Sequence, residues 1–187
     1  MLENFVFHII RRDASGKEFP VTLEEVKSFL GINNNKENDL LLSLIAICSE
    51  YAQWYIEKSL IKQTWAISYT ADNMPQKINL PFGPLIGVLL VKYGKDSDEQ
   101  LSIVPANRYR VDILQSSITL LDVLDGTKIE ITYRSGYETT EHIPVQIKYG
   151  ILHHVAVCYK NRDLTGKECL SFLKEVYLPF KDVKLIL

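Results

Sequence analysis

Residues 36–58 contain neither glycine nor proline, and their apolar positions recur at helical spacing. Stepping 100° per residue places Leu40, Leu41, Leu44, Ile45, Ile47, Cys48, Tyr51, Ala52, Trp54, Tyr55 and Ile56 on an arc of roughly 200°. Ser43, Glu50, Gln53 and Glu57 share the opposite side. A helix lying on one core needs a stripe nearer about 100° wide. The spacing therefore predicts one long helix with a surplus apolar edge. Leu40, Ile47 and Trp54, seven residues apart, mark that edge and are expected to pack against another helix or another subunit. Ahead of it, Thr22 with Glu25 three residues later reads as a capping box, and Gly31 as the C-cap of a short helix. Leu23, Val26, Phe29 and Leu30 form its buried stripe.

Past residue 61 the period shortens to that of strands. Runs at 63–69, 85–93, 100–104, 109–113, 117–121 and 128–133 are rich in β-branched and aromatic residues and are bounded by turn formers. Residues 94–98 and Leu124-Asp125-Gly126 predict hairpin turns. Pro75, Pro81, Pro84 and Pro105 punctuate the connections. Strands this short and numerous predict a small antiparallel sheet or barrel. Helical spacing resumes at Ile143-Pro144, where proline suits a first turn. There Val145, Tyr149, Leu152, Val155, Ala156 and Tyr159 form a stripe that Ile147, Ile151 and Cys158 widen. A last helix is expected at about 167–176. The predicted class is α+β: N- and C-terminal helices form a small bundle, and an antiparallel β region is inserted between them. The divisions are a weakly alternating arm or hairpin at 1–20, helices at 21–60, the β region at 61–140, and helices at 141–187 that join 21–60 in one compact unit.

Composition narrows the function. The chain has 187 residues, 47% of them hydrophobic, with 21 Lys+Arg against 23 Asp+Glu. That is an ordinary globular balance with a core large enough to stand without disulfides. A formal net charge of -2 provides no general field to draw the chain onto nucleic acid or an anionic membrane. The longest apolar stretch, residues 40–48, is too short to span a bilayer, and no membrane partner is expected. The apolar start, with Glu3 early and Arg11-Arg12 after it, reverses the order of a signal peptide, so the chain reads as intracellular. Cys48, Cys158 and Cys169 read as reduced thiols, the first two buried in helices.

Candidate chemistry is thin. His154 and Cys158, four apart on one helical face, offer two metal ligands, with His153, His142 and Cys169 as further donors. No C-x-x-C or H-E-x-x-H spacing accompanies them. Two surface or rim histidines and a core thiol are the better account, and no metal or cofactor is expected. No nucleophile elbow or phosphate-binding glycine pattern occurs, and Ser135-Gly136-Tyr137 reads as a turn. The acids Glu24-Glu25 and Asp96, Asp98 and Glu99 read as solvated charge. Arg108-Tyr109-Arg110 and Tyr133-Arg134 are able to touch a nucleic-acid backbone, but arginines within a sheet more often pair with acids.

The order of short motifs resembles the head-tail connector (head completion, or adaptor) proteins of tailed bacteriophages and prophages, in their longer form with a β insertion. The segments are Val21-Thr22-Leu23-Glu24-Glu25-Val26-Lys27-Ser28-Phe29-Leu30, Asp39-Leu40-Leu41, Ser59-Leu60-Ile61-Lys62-Gln63-Thr64-Trp65 and Leu80-Pro81-Phe82-Gly83-Pro84-Leu85. Tyr109-Arg110-Val111-Asp112, Tyr133-Arg134-Ser135-Gly136-Tyr137, Ile143-Pro144-Val145-Gln146-Ile147-Lys148 and Tyr159-Lys160-Asn161-Arg162 follow. Residues 1–20 lie outside the match, and Asp163 stands where the family pattern suggests Glu. The resemblance implies a non-enzymatic virion-assembly protein with Tyr159, Asn161 and Arg162 as family-motif positions. It implies a homo-oligomeric ring, dodecameric in the virion, that docks on the portal protein and presents a surface to a tail-side connector or completion protein. Packaged DNA passes through the channel without sequence-specific binding. The implied location is the virion neck, and the host bacterial cytoplasm before assembly. The alternative from another class is a ligand-binding or hydrolytic α+β domain with a cleft between sheet and helices.

Overall fold

Thr22 opens the first helix as the capping box predicts. A computed structural model describes residues 7–13, 18–72, 74–98, 100–122, 126–160 and 175–181. In it α1 is Leu23–Leu30: the Thr22 hydroxyl accepts the Glu25 N–H at 3.1 Å, and the Glu25 carboxylate accepts the Thr22 N–H at 2.6 Å. Gly31 ends α1 at φ 71°, the left-handed conformation that glycine adopts without strain. The long helix, α2, is Asn38–Ile56, and α3 is Val145–Lys160. Residues 175–177 are helical and lead into a 3₁₀ turn at Leu178–Phe180. The predicted helix at 167–176 otherwise lies outside the described residues, as do Asn161, Arg162 and Cys169.

The strands are β1 Phe7–Asp13, β2 Gln63–Thr70, β3 Lys77–Asn79, β4 Leu85–Gly94, β5 Ser102–Ile103, β6 Tyr109–Asp112, β7 Ser117–Leu120 and β8 Lys128–Ser135. They form two antiparallel sheets ordered β1-β2-β8-β4-β5 and β3-β7-β6, neither of them a closed barrel, which corrects the barrel alternative. A second correction concerns Leu124-Asp125-Gly126. A hairpin there would pair β7 with β8, but β7 pairs with β3 and β6, and β8 with β2 and β4. Leu124 and Asp125 themselves lie outside the described residues. β3, three residues between Pro75 and Pro81, is too short to show alternation. The weakly alternating start becomes β1, antiparallel to β2.

The chain divides into two units, one of Met1–Gly16 with Lys62–Gly136 and one of Lys17–Ile61 with Tyr137–Leu187. The first is organised by two-residue alternation. Trp65, Ile67 and Tyr69 of β2 and Ile129, Ile131 and Tyr133 of β8 point to one face, in register as Trp65↔Tyr133, Ile67↔Ile131 and Tyr69↔Ile129. Ile78, Ile118 and Leu120 of the three-stranded sheet join the same core. The segment Leu80-Pro81-Phe82-Gly83-Pro84-Leu85 is pinned into it. Phe82 stacks on Trp65 with ring centroids 4.2 Å apart, and the Tyr133 hydroxyl donates to the Pro81 carbonyl at 2.6 Å. The Leu80 N–H donates to the Ser116 carbonyl and the Leu85 N–H to its hydroxyl. Burial holds the Tyr69 and Tyr133 hydroxyls well above the usual phenol range, so both remain hydrogen-bond donors.

The second unit is built on α2 and α3, with α1 across both. Val26 of α1, Leu41, Ile45, Cys48, Ala52 and Ile56 of α2, and Ile147, Ile151, Val155 and Cys158 of α3 form its core with Tyr177. Tyr177 enters close to Gly150, where a Cβ would lie 2.7 Å from both the Tyr177 ring and Val176 Cγ1. Lys148 of α3 reaches the Glu25 carboxylate at 2.9 Å.

Glu25 is therefore more than solvated charge. Partial burial raises its pKa, but the Thr22 backbone N–H, the Lys148 ammonium and the Thr22 hydroxyl outweigh that and hold it below the usual carboxylate value. A carboxylate with a depressed folded pKa contributes stability that is present above its unfolded pKa and is lost as pH falls through the folded value. Glu25→Gln is expected to flatten that acid limb of the urea midpoint against pH, and an unchanged limb would contradict it. Gly150→Ala is expected to destabilise by about 1–3 kcal/mol through overpacking against Tyr177, more than the ~1 kcal/mol gained from helix propensity. An unchanged or raised thermal midpoint would show that Tyr177 yields freely.

Candidate functional site

The surplus edge of α2 lies outside its buried sector and is partly exposed. With Leu41 set at 0°, the buried residues Leu41, Ile45, Cys48, Ser49, Ala52, Gln53 and Ile56 span from about −20° to about 120°. Trp54, Ile47 and Leu40 follow each other between about −140° and −100°, beyond that sector. Ile47 is 63% exposed, Trp54 44% and Leu40 39%. The apolar arc expected from the sequence is centred near Tyr55, but the buried sector is not. Gln53, expected on the polar side, is only 2% exposed. Its Oε1 accepts the Leu60 N–H at 3.3 Å, closing the exit from the helix, where Glu57 is left-handed at φ 57°. Burying a polar side chain is tolerated when it satisfies a backbone donor. That bond accompanies a rotation of α2 that hydropathy alone does not report.

α3 is rotated in a similar way, and the stripe expected there is corrected. Ile147, Ile151, His154, Val155 and Cys158 are buried, whereas Val145 and Tyr149 are exposed. The residues that only widened the stripe are its centre. Both sides of α3 are apolar, so periodicity could not choose between them. Tyr149 and His153 meet Phe29 of α1 edge to face, with centroids 6.0 and 5.0 Å from the phenylalanine ring. Tyr159 at the other end donates from its hydroxyl to Glu37, ahead of α2.

The β unit also exposes apolar groups, at Ile86 and Leu89 of β4 and at Ile113 and Leu114 of the β6–β7 tip. The irregular register between Leu85 and Gly87 and between Val88 and Leu90 turns β4 residues outward. The tip is held in shape by the Gln115 N–H donating to Asp112 Oδ1 at 2.9 Å. Arg108, one of the candidate phosphate contacts, pairs instead with Asp122 at 2.9 Å, and Tyr133 is buried.

One arrangement was not legible in the sequence. His154 is not a rim residue: it is buried, and it shares the α2–α3 core with Cys48 and Cys158. One ligand atom from each of the three lies within 4.8 Å of the others. Cys48 Sγ is 3.9 Å from Cys158 Sγ. Hydrogen bonds from Cys48 and from His154 hold the Cys158 thiol well below its usual pKa against the upward pull of burial. Among the described residues, His154 Nδ1 and the Tyr177 hydroxyl are buried without a hydrogen-bond partner. The i, i+4 pair in α3 was visible, but the third member comes from a helix about 100 residues earlier.

Comparison with known proteins bears on the whole chain. Residues 20–98 match the family model of phage gp6-like head-tail connector proteins. No curated protein matches. Among solved structures, a chain from the neck of an empty GTA particle, computed with C6 symmetry, superposes with a TM-score of 0.75 at 17% identity, and 97% of each chain is covered. A chain of the native particle's neck, computed with C12 symmetry, gives 0.74 at 17% identity, again over 97% of each chain. A chain from the virion of the native gene transfer agent particle gives 0.73 with the same identity and coverage. The likeness is one of fold. With the family match, it bears out the resemblance to head-tail connectors read from the motifs. Among the described residues no helix is long and apolar enough to cross a membrane.

Proposed function

We propose that this chain, similar to phage head-tail connectors in sequence and to particle-neck chains in fold, is a structural subunit of a virion neck and not an enzyme. The observation that carries the reading is the rotation of α2. A subunit evolved to stand alone gains about 1.5–3 kcal/mol for each large apolar side chain it buries fully. This one buries Ser49 and Gln53 and leaves Leu40, Ile47 and Trp54 in contact with water. A neighbouring copy covers that edge. Contact between different surfaces of identical subunits closes into a ring when the rotation per subunit allows it. The related neck structures, computed with C6 and C12 symmetry, support a closed ring, and a dodecamer is the expected form.

The helices of the second unit act as a small bundle that carries the subunit contact. The apolar tip at Ile113 and Leu114 serves the portal or the tail-side completion protein. Packaged DNA passes through the channel without sequence-specific contacts, in keeping with a net charge of -2 and an arginine already paired with Asp122. Before assembly the chain resides in the bacterial cytoplasm.

The double substitution Ile47→Ser with Trp54→Ala tests the reading. Ile47 is 63% and Trp54 44% exposed, so the loss of their remaining contacts is expected to cost about 1–3 kcal/mol of stability and leave the chain folded. Ring formation with the portal, read by electron microscopy and light scattering, is expected to fall at least tenfold, equivalent to about 1.4 kcal/mol of subunit affinity. Rings at the parental level would overturn the assignment of this edge.

A further inference from the structure

We propose that Cys48, His154 and Cys158 bind a zinc ion that ties α2 to α3, a site independent of the proposed neck function. Four observations converge. The donors are a zinc set: two sulfurs and one imidazole, all buried, with one ligand atom each inside a 4.8 Å circle. Tetrahedral zinc with Zn–S bonds of about 2.3 Å sets its two sulfurs about 3.8 Å apart. Cys48 and Cys158 already stand at 3.9 Å. In such a site the sulfur-to-nitrogen separation is about 3.5 Å, so the His154 ring nitrogen, within 4.8 Å of both sulfurs, needs a movement of about 1.4 Å at most.

The charge also balances. A divalent ion held by two thiolates and a neutral imidazole has no net charge, the form in which an ion is tolerated among Ile45, Ile151 and Val155. Two thiol protons leave to solvent as the ion enters, and no electron transfer is involved. Finally, the site has an unexplained polar remainder. His154 Nδ1 and the Tyr177 hydroxyl are fully buried with no partner among the described residues, although such groups are nearly always satisfied in folded proteins. Tyr177 offers an oxygen for the fourth position, directly or through a water. The T-shaped contact of Tyr51 with His154, centroids 5.1 Å apart, fixes the ring plane. A site closed in this way is structural, with no open position for substrate.

The test uses the full chain without a histidine tag, kept reduced and purified without chelator. Elemental analysis is expected to find one zinc per chain. Cobalt added to the metal-free protein is expected to produce thiolate-to-cobalt charge-transfer absorption with the intense visible bands of tetrahedral coordination. Cys48→Ser and Cys158→Ser are each expected to weaken the charge-transfer band by about half or more, and Cys169→Ser to leave it intact. Adding zinc to the metal-free chain is expected to raise its thermal midpoint. A parental chain that carries no more zinc than the buffer and gives no charge-transfer band overturns the proposal, and this result needs no variant to fold. A band that survives both Cys48→Ser and Cys158→Ser, or is lost only in Cys169→Ser, overturns it equally.

Discussion

α2 can bury only one side, and the side it buries is set by a hydrogen bond as well as by hydropathy. Gln53 turns inward because the chain leaves the helix through Glu57 and returns its Leu60 N–H to the glutamine oxygen. In the same rotation Leu41, Ile45, Cys48, Ala52 and Ile56 face the core, and Ile47 lies outward with Leu40 and Trp54. The remaining helices follow from this choice. α3 presents Ile147, Ile151 and Val155 to the chosen side, and Tyr177 fills the space that Gly150 leaves. α1 is held by Glu25, which accepts from both its own N-cap and Lys148.

The β unit serves a different end. Its paired strands and the pinned segment from Leu80 to Leu85 hold the exposed tip at Ile113 and Leu114 at a fixed position, and under the proposed function that tip is what a portal or tail-side partner meets. Its core is closed by aromatic groups whose hydroxyls bind backbone carbonyls, Tyr69 to Asn79 and Tyr133 to Pro81. Binding to a large assembly favours such pre-organisation, because little conformational freedom is then lost on docking.

Signals that act locally along the chain determine structure locally. The capping box at Thr22, the glycine stop at Gly31 and the strands beginning at Gln63, Leu85, Tyr109, Ser117 and Lys128 are observed as expected. The misreadings share one cause, since each depends on what lies across the core. Val145 and Val155 look alike along the chain, and only the position of α2 makes one exposed and the other buried. His154 meets Cys48 only through the packing of α3 on α2, and β7 pairs with β3 and β6, which no run of residues near Gly126 announces. The exposed edge of α2 was legible for the opposite reason: an excess of apolar arc is a property of one helix and needs no knowledge of its neighbours.

The central claim is that this edge is reserved for another copy of the chain. The protein has two tryptophans, and Trp65 is fully buried, so Trp54 dominates what a quencher in solution can reach. Acrylamide quenching of tryptophan fluorescence, compared between the free chain and rings assembled on the portal, tests the claim directly. The account predicts that Trp54 is readily quenched in the free chain and shielded in the ring, whereas equal quenching in both states would contradict it.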